Sequence, residues 1–241
     1  MVTRLLLYPI KGLDGVDVGE ARVLPSGALE FDRRWALVDG RGRFVNAKNR
    51  VEVHSIRAQF DLARLEVTLA GQTCSLVRDG LSIASWFAER LGEPVEWRQN
   101  ADMGFPDDTD SPGPTFISAA SVARVGEWFG LPPEEVRRRF RCNVEFDGVE
   151  AFWEDSLYGS RFRVGDVGVE AVNPCQRCVV PSRDSLTGAQ DAGFQKRFAE
   201  LRQAEMPPVA KRGQFTHYYR LTVNTRIAEG GVIRVGDVVS S

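Results

Sequence analysis

Short runs rich in valine, leucine and aromatic residues recur through the chain, each closed by a turn signal, and that rhythm admits few architectures. Residues 4–8, 35–38, 64–69 and 73–77 read as strands. After Arg141 the pattern returns at 143–146, 161–164, 167–172, 219–223 and 232–235. Asp39-Gly40-Arg41-Gly42, between 35–38 and Arg43-Phe44-Val45, is a hairpin signal. Arg-Val-Gly-Asp-Val occurs at 163–167 and again at 234–238, a strand–turn device used twice, because Gly-Asp favours a tight turn. Helical spacing is rarer. Ala84, Phe87, Ala88 and Leu91 share a face that Gly92 stops. Ser118 or Ser121 caps a second helix reaching Phe129, with Val122 and Val125 in its stripe. Pro133 opens a third, acidic at Glu134 and Glu135 and basic from Arg137 to Arg139, as the helix dipole favours. Phe194, Phe198 and Leu201 mark a fourth. Residues 100–114 have the composition of a linker or mobile flap. The pattern predicts a mainly β, α+β chain: a β-barrel-like domain over 1–100, then a second barrel with a few packing helices over 101–241.

Charge narrows the partners. Lys and Arg number 31 against 33 Asp and Glu, a formal charge of -2, which argues against a nucleic-acid protein with a basic surface. The hydrophobic share of 43% supplies a core. No apolar run approaches the roughly 20 residues of a membrane span, and the apolar opening at 1–9 lacks a cleavage pattern. The expectation is a soluble, cytoplasmic protein with neither nucleic-acid nor membrane partners. His54 and His217 are the only histidines and lie far apart, which disfavours a histidine-rich zinc or iron site. Cys74, Cys142, Cys175 and Cys178 read as free or metal-binding thiols, since a chain this long without a secretory signal does not need disulfides.

Chemistry concentrates in 173–188, Asn-Pro-Cys-Gln-Arg-Cys-Val-Val-Pro-Ser-Arg-Asp-Ser-Leu-Thr-Gly, which follows a strand and presents a thiol at a barrel mouth. Arg177 adjoins Cys178, and a nearby cation favours the thiolate that binds metals or attacks electrophiles. Three readings stand. A structural zinc would need two more ligands from Cys74, Cys142, His54 and His217, which form no second pair. A thioredoxin-like pair would lie in a βαβ setting that this chain lacks. The third is a single thiolate on a metal held mainly by a cofactor. Candidate anion-binding groups are Lys11 in Tyr8-Pro9-Ile10-Lys11-Gly12, Arg33 in Asp32-Arg33-Arg34-Trp35, and Arg141 with Asn143 in Arg139-Phe140-Arg141-Cys142-Asn143. Arginine suits bidentate phosphate contacts and asparagine suits ring amides, although each is otherwise a charge beside a turn.

Together with Glu154-Asp155-Ser156, these segments resemble the MOSC family, named for the C-terminal domain of molybdenum cofactor sulfurases. Cys178 with the downstream Asp184-Ser185-Leu186-Thr187-Gly188 is the specific part. The order of an N-terminal β-barrel domain and then a MOSC barrel is similar to that of the amidoxime-reducing components and their bacterial counterparts. The resemblance covers nearly the whole chain, with 50–115 matching only in general character. It implies that Cys178 is the catalytic thiolate ligand to molybdenum, the other positions being filled by the pterin dithiolene and oxo groups of the molybdenum cofactor (molybdopterin). It also implies cofactor contacts from Lys11, Arg33, Arg141, Asn143 and Arg177, with Ser118 and Ser121 nearby. Cys175 aligns with a position that is often cysteine but is not the ligand. Pyridoxal phosphate also falls within the ligands the resemblance admits.

This sequence departs from the family pattern twice. Cys142 replaces a proline between Arg141 and Asn143, which alters the start of a strand, and Ser185 replaces a proline, which loosens its loop. The implied activity is a molybdenum-dependent oxidoreductase that removes oxygen from small N-hydroxylated compounds. Two electrons and two protons would come from outside, through a flavin reductase or small electron carrier. The chain stops at Ser241 and holds no cysteine cluster for a fused iron–sulfur domain, so a separate donor is expected. The alternative is a sulfur or molybdenum-cofactor carrier that uses the same cysteine without turnover.

Overall fold

The runs read as strands form strands, and most of them join one sheet. A computed structural model describes residues 1–240. In chain order the strands are β1 (Val2–Leu7), β2 (Val16–Asp17), β3 (Glu20–Arg22), β4 (Trp35–Asp39), β5 (Ala58–Asp61), β6 (Glu66–Leu69) and β7 (Gln72–Ser75). They continue as β8 (Val95–Gln99), β9 (Phe116–Ser118), β10 (Val144–Phe146), β11 (Arg161–Val164), β12 (Val167–Gln176), β13 (Arg220–Glu229), β14 (Val232–Arg234) and β15 (Val239–Ser240). The helices are α1 (Gly80–Leu91), α2 (Ala119–Phe129), α3 (Pro133–Phe140) and α4 (Phe194–Ala204). The class is therefore mainly β with packing helices, α+β.

Eight strands line up as β15-β11-β12-β13-β9-β10-β1-β2. Only β9 and β10 pair in parallel, and the intervening α2 and α3 supply the crossover that parallel pairing requires. β1 pairs with β10, Leu5 opposite Val144 and Val2 opposite Phe146, and β3 pairs with β14. Val2 N–H donates to Asp237 O and Gly236 N–H to Val2 O, both at 2.8 Å, drawing the first strand to the turn before β15. The sheet curls toward its own edge, without a continuous ladder that closes it into a barrel among the described residues.

One apolar core, including Leu5, Leu7, Phe116, Phe146, Val169 and Val223, fills this sheet. A second, with Trp35, Leu37, Val67 and Phe87, joins β4 and the β5–β7 meander to α1. A third packs α2, α3 and α4 through Val125, Val136, Phe140, Phe194 and Phe198. Both copies of Arg-Val-Gly-Asp-Val turn at a glycine with positive φ, 53° at Gly165 and 97° at Gly236, a conformation that glycine adopts without a Cβ penalty.

One local expectation is met and one changes. The hairpin at 39–42 forms, with Asp39 N–H donating to Arg43 O at 2.9 Å and Val45 N–H to Leu37 O at 2.8 Å around a Val38–Phe44 bridge, while the other edge of β4 pairs with β8 from Asp39–Val95 to Trp35–Gln99. Phe44 also packs on Phe105, ring centroids 5.4 Å apart. Residues 100–114 are not a free flap but a fixed strap. Phe105 N–H donates to Arg33 O at 2.8 Å and Gly113 N–H to Thr225 O at 3.0 Å. Gly104 sits at φ +69°, where a Cβ would lie 2.5 Å from Asp32 O. Gly104→Ala is expected to cost about 2–3 kcal/mol, combining left-handed strain with a clash on rigid backbone, and to lower the urea midpoint accordingly.

Candidate functional site

The strap, the end of β1, the α3–β10 junction and the loop after β12 enclose a cavity of about 840 Å³. Lys11, Arg33 and Arg141 meet on one wall, brought from three separate segments. Arg33 and Arg141 both adopt left-handed backbone, φ 50° and 55°, an uncommon state for side-chain-bearing residues that clusters at functional sites. Their guanidinium groups stack on the same Tyr8 ring, at 5.1 and 4.1 Å from its centroid. Tyr8 is buried and its hydroxyl donates to Cys142 O at 3.1 Å, so the ring is a fixed spacer between two cations. Lys11, only 7% exposed, donates to Phe105 O at 2.8 Å and pairs with Asp107 of the strap.

Electrostatics on this wall favour an anion. Burial pushes the Lys11 amine below its ordinary value, although Asp107 opposes the shift. Burial likewise lowers Arg141, with Arg33 alongside. Burial opposes the Arg33 charge, but Asp32 and Asp107 outweigh it and raise that guanidinium. Like charges held together in a partly desolvated wall are relieved by a bound anion. Asn143 lines the same cavity, but its amide already ties strands together: it donates to Leu6 O at 3.1 Å and accepts from Thr115 N–H at 3.3 Å.

Two thiols, Cys175 and Cys178, line the same cavity. Cys178 is exposed, and its carbonyl accepts from Tyr219 Oη at 3.1 Å. Arg177 donates through Nη1 to Cys175 Sγ at 3.0 Å and through Nη2 to Phe140 O, which leaves its buried Nε without a partner. Burial disfavours the Arg177 charge, but Cys175, Cys178 and Cys142 around it reverse that and raise the group. Opposite Cys175 the ladder is irregular, since Pro174 faces Val223 while Gln176 faces Arg220. The extra residue falls near Thr222, a buried β-branched side chain at φ 74° with an unpartnered hydroxyl. Bulges of this kind re-aim side chains beside functional sites.

The two departures from the family pattern are both accommodated. Burial pushes the Cys142 thiol up to about 12, and it donates to Thr115 O at 3.0 Å, holding the start of β10 in place. The 184–188 loop is not loosened by losing proline. Ser185 donates through N and Oγ to Glu135 at 2.9 and 2.6 Å, and Asp184 Oδ1 accepts from Leu186 N, Thr187 N and Thr187 Oγ1.

The remaining candidates scatter. Ser118 caps α2, and its hydroxyl lies 2.7 Å from that of Ser121, which accepts from Phe152 N–H; both are fully buried and neither lines the cavity. His54 lines it, lowered first by burial and then by Arg183 and Arg57. Cys74 lies in the second core and His217 outside the cavity. Among the described residues no group of three His, Cys, Asp or Glu side chains could hold a metal by itself. Sequence reasoning missed Asp107 and the spacer role of Tyr8. Asp107 sits in a segment with no local pattern, and only the glycines flanking that strap hinted at close packing.

Comparisons with known proteins show the family. The MOSC N-terminal beta barrel domain matches residues 1–78 and the MOSC domain residues 115–240. The human protein named mitochondrial amidoxime-reducing component 1 is 26% identical over 286 residues, covering 99% of this chain and 82% of that one. The molybdenum cofactor sulfurase of Drosophila grimshawi is 23% identical over 240 residues, and the match covers 84% of this chain but only 30% of the sulfurase. The mitochondrial amidoxime reducing component 2 of Rattus norvegicus is 24% identical, covering 79% of this chain and 68% of that one. With the MOSC domain matched over its second half and the companion N-terminal domain over its first 78 residues, this chain belongs to the MOSC family.

Proposed function

We propose that the cavity binds a molybdopterin-type molybdenum cofactor and that the protein uses it to reduce small N-hydroxylated compounds. The observation that carries the reading is an exposed cysteine, Cys178, lining the same cavity as Lys11, Arg33 and Arg141. The donor set suits the cofactor's two ends. Arg33 and Arg141 on the Tyr8 ring, with Lys11 in the same cavity, offer two guanidinium forks and an ammonium to a phosphate. An accessible thiol beside Arg177 suits a soft, high-valent metal, whose other donors would have to come from the cofactor. The unpartnered Arg177 Nε leaves one buried donor to spare on that side. Pyridoxal phosphate fits less well, because Lys11 Nζ is committed to Phe105 O and Asp107 rather than free to form an imine.

When bound, such a cofactor supplies the two-electron centre at which N–OH becomes N–H and water. Two electrons and two protons balance that change and come from an external donor, a flavin reductase or a small electron carrier. The protein's own contribution is positional. Cys178 fixes the metal end, Arg177 places a cation beside it, and the Lys11–Arg33–Arg141 wall offsets the phosphate charge. Asp107 competes for the same Lys11 ammonium and tunes how tightly an anion sits there.

The test is elemental analysis with pterin fluorescence on protein made in a molybdate-supplied host, followed by assay with benzamidoxime and an artificial donor. Near-stoichiometric molybdenum and pterin with turnover are expected. Absence of both, beside a correctly loaded control molybdoenzyme, would overturn the reading. A persulfide on Cys178 in their place would point to a sulfur carrier.

A further inference from the structure

The cavity is far more basic than the molecule around it. Nine lysine and arginine side chains line it against four aspartates, in a protein of formal charge -2. The wall at Lys11, Arg33 and Arg141 accounts for one part of this excess. A second part lies on the other side, where the loop after Cys178 runs past 47–57. There Arg183 Nη1 donates to Ala47 O at 2.7 Å, and the exposed Lys48, next in sequence to Ala47, lines the same cavity.

Every nearby carboxylate is engaged elsewhere. Asp184 accepts from Leu186 and Thr187, and its other oxygen lies 3.9 Å from Arg139. Asp14 holds Arg57 and Ala58 N–H. Glu135 holds Arg138, Arg139 and Ser185, and Asp107 holds Lys11. Among the described residues no carboxylate pairs with Arg183 or Lys48. His54, alongside, is lowered by burial and by Arg183 and Arg57, so it adds no competing charge at neutral pH. The result is two cations lining one pocket, Arg183 braced by a backbone carbonyl, with no carboxylate partner for either among the described residues. Most surface charges are merely solvated. A guanidinium fixed at the rim of a cavity, five residues after the exposed thiol, is placed to meet whatever reaches that thiol.

We propose that Arg183 and Lys48 form a specificity-determining pair that selects N-hydroxylated substrates carrying an oxyanion group, a carboxylate in the simplest case, positioned away from the N–OH. This rests on the proposed reductase reading. The pair acts on substrate binding: the guanidinium fork accepts the carboxylate, and the N–OH end is directed toward Cys178.

The experiment compares benzamidoxime with 4-carboxybenzamidoxime in the molybdenum-loaded protein, for the wild type, Arg183→Ala, Arg183→Gln and Arg183→Lys. A charge-assisted hydrogen bond predicts a wild-type preference for the carboxylate of roughly tenfold to a hundredfold in kcat/KM, carried by KM. Arg183→Ala and Arg183→Gln should abolish it while leaving benzamidoxime within about twofold, and Arg183→Lys should keep part of it. Equal kcat/KM for the two compounds in the wild type would overturn the proposal while leaving the reductase reading intact. Calorimetric binding of the products, 4-carboxybenzamidine and benzamidine, separates the remaining cases. An Arg183-dependent preference without any turnover would keep the anion site and remove the reductase reading. No preference in either assay would remove the anion site. Finally, nucleotide released on hydrolysis of the wild type in step with its molybdenum, and lost from Arg183→Ala, would assign the pair to a cofactor phosphate and overturn the substrate role.

Discussion

Cys178→Ala is expected to lose molybdenum by at least about a hundredfold while the protein keeps its fold, with Tm within about 2 °C of the wild type. The two halves of that expectation have separate causes. Cys178 is exposed and belongs to none of the three apolar cores, so removing its sulfur leaves no cavity. Its backbone is held independently of its side chain, by Tyr219 Oη on its carbonyl and by Arg177 N–H donating to Tyr219 O at 3.2 Å. The metal end, by contrast, has no substitute nearby. Cys175 accepts a hydrogen bond from Arg177, and Cys142 is a half-buried thiol pushed up to about 12 by desolvation, so it stays protonated at physiological pH. Metal content and circular dichroism on the same preparation decide the matter. Retention of metal at the wild-type level would remove Cys178 from the ligand role, and loss of both metal and fold would make it a structural residue.

Asp155→Ala is expected to be the most damaging single change to stability, about 3–5 kcal/mol, or a fall in Tm of roughly 6–20 °C. Asp155 and Arg202 are each 1% exposed and ion-paired, and Tyr158 Oη donates to the same carboxylate at 2.9 Å. Arg202 stacks 4.1 Å over Phe152 from the buried side of α4, yet its Nε and Nη1 have no partner. Deleting the carboxylate strands a guanidinium that is already under-satisfied. The double variant Asp155→Leu with Arg202→Met should therefore recover most of the loss, since replacing a buried pair by apolar side chains is often neutral or stabilising. Urea denaturation of the two single variants and the double variant measures this. Additive losses in the double variant would show that the cost lies in packing rather than in the stranded charge.

How much of this was legible beforehand differs by level. The α1 stop at Gly92 and the α2 cap at Ser118 were readable because each depends on residues within a turn of one another. The Asp39–Gly42 hairpin was readable too, but not β4's second partner, since β8 lies about sixty residues on and local signals carry no information about it. Cys178, Lys11, Arg33 and Arg141 stood out through their motifs. Their convergence did not, because it depends on left-handed backbone at Arg33 and Arg141 and on Tyr8 lying between them. Asp107 was invisible for the opposite reason: its segment has no periodicity, and its position follows from hydrogen bonds to distant strands. Ser118 and Ser121 lie outside the cavity lining, and the cap that their spacing also predicted is the role the structure shows for Ser118.

The pairing of β1 with β10, and of Val2 with Gly236 and Asp237, has a kinetic consequence. A ribosome releases Val2 long before it makes Phe146 or Asp237, so the first strand must wait, apolar and unpaired, for partners at the far end of synthesis. Closing so large a loop carries an entropic cost that precedes any reward, which slows folding. During that wait β1 offers a bare edge for aggregation. It also means that Lys11 and Arg33, made early, face Cys178, made late, only after the chain has come back on itself. Any anionic ligand that spans them can be captured by the finished polypeptide alone.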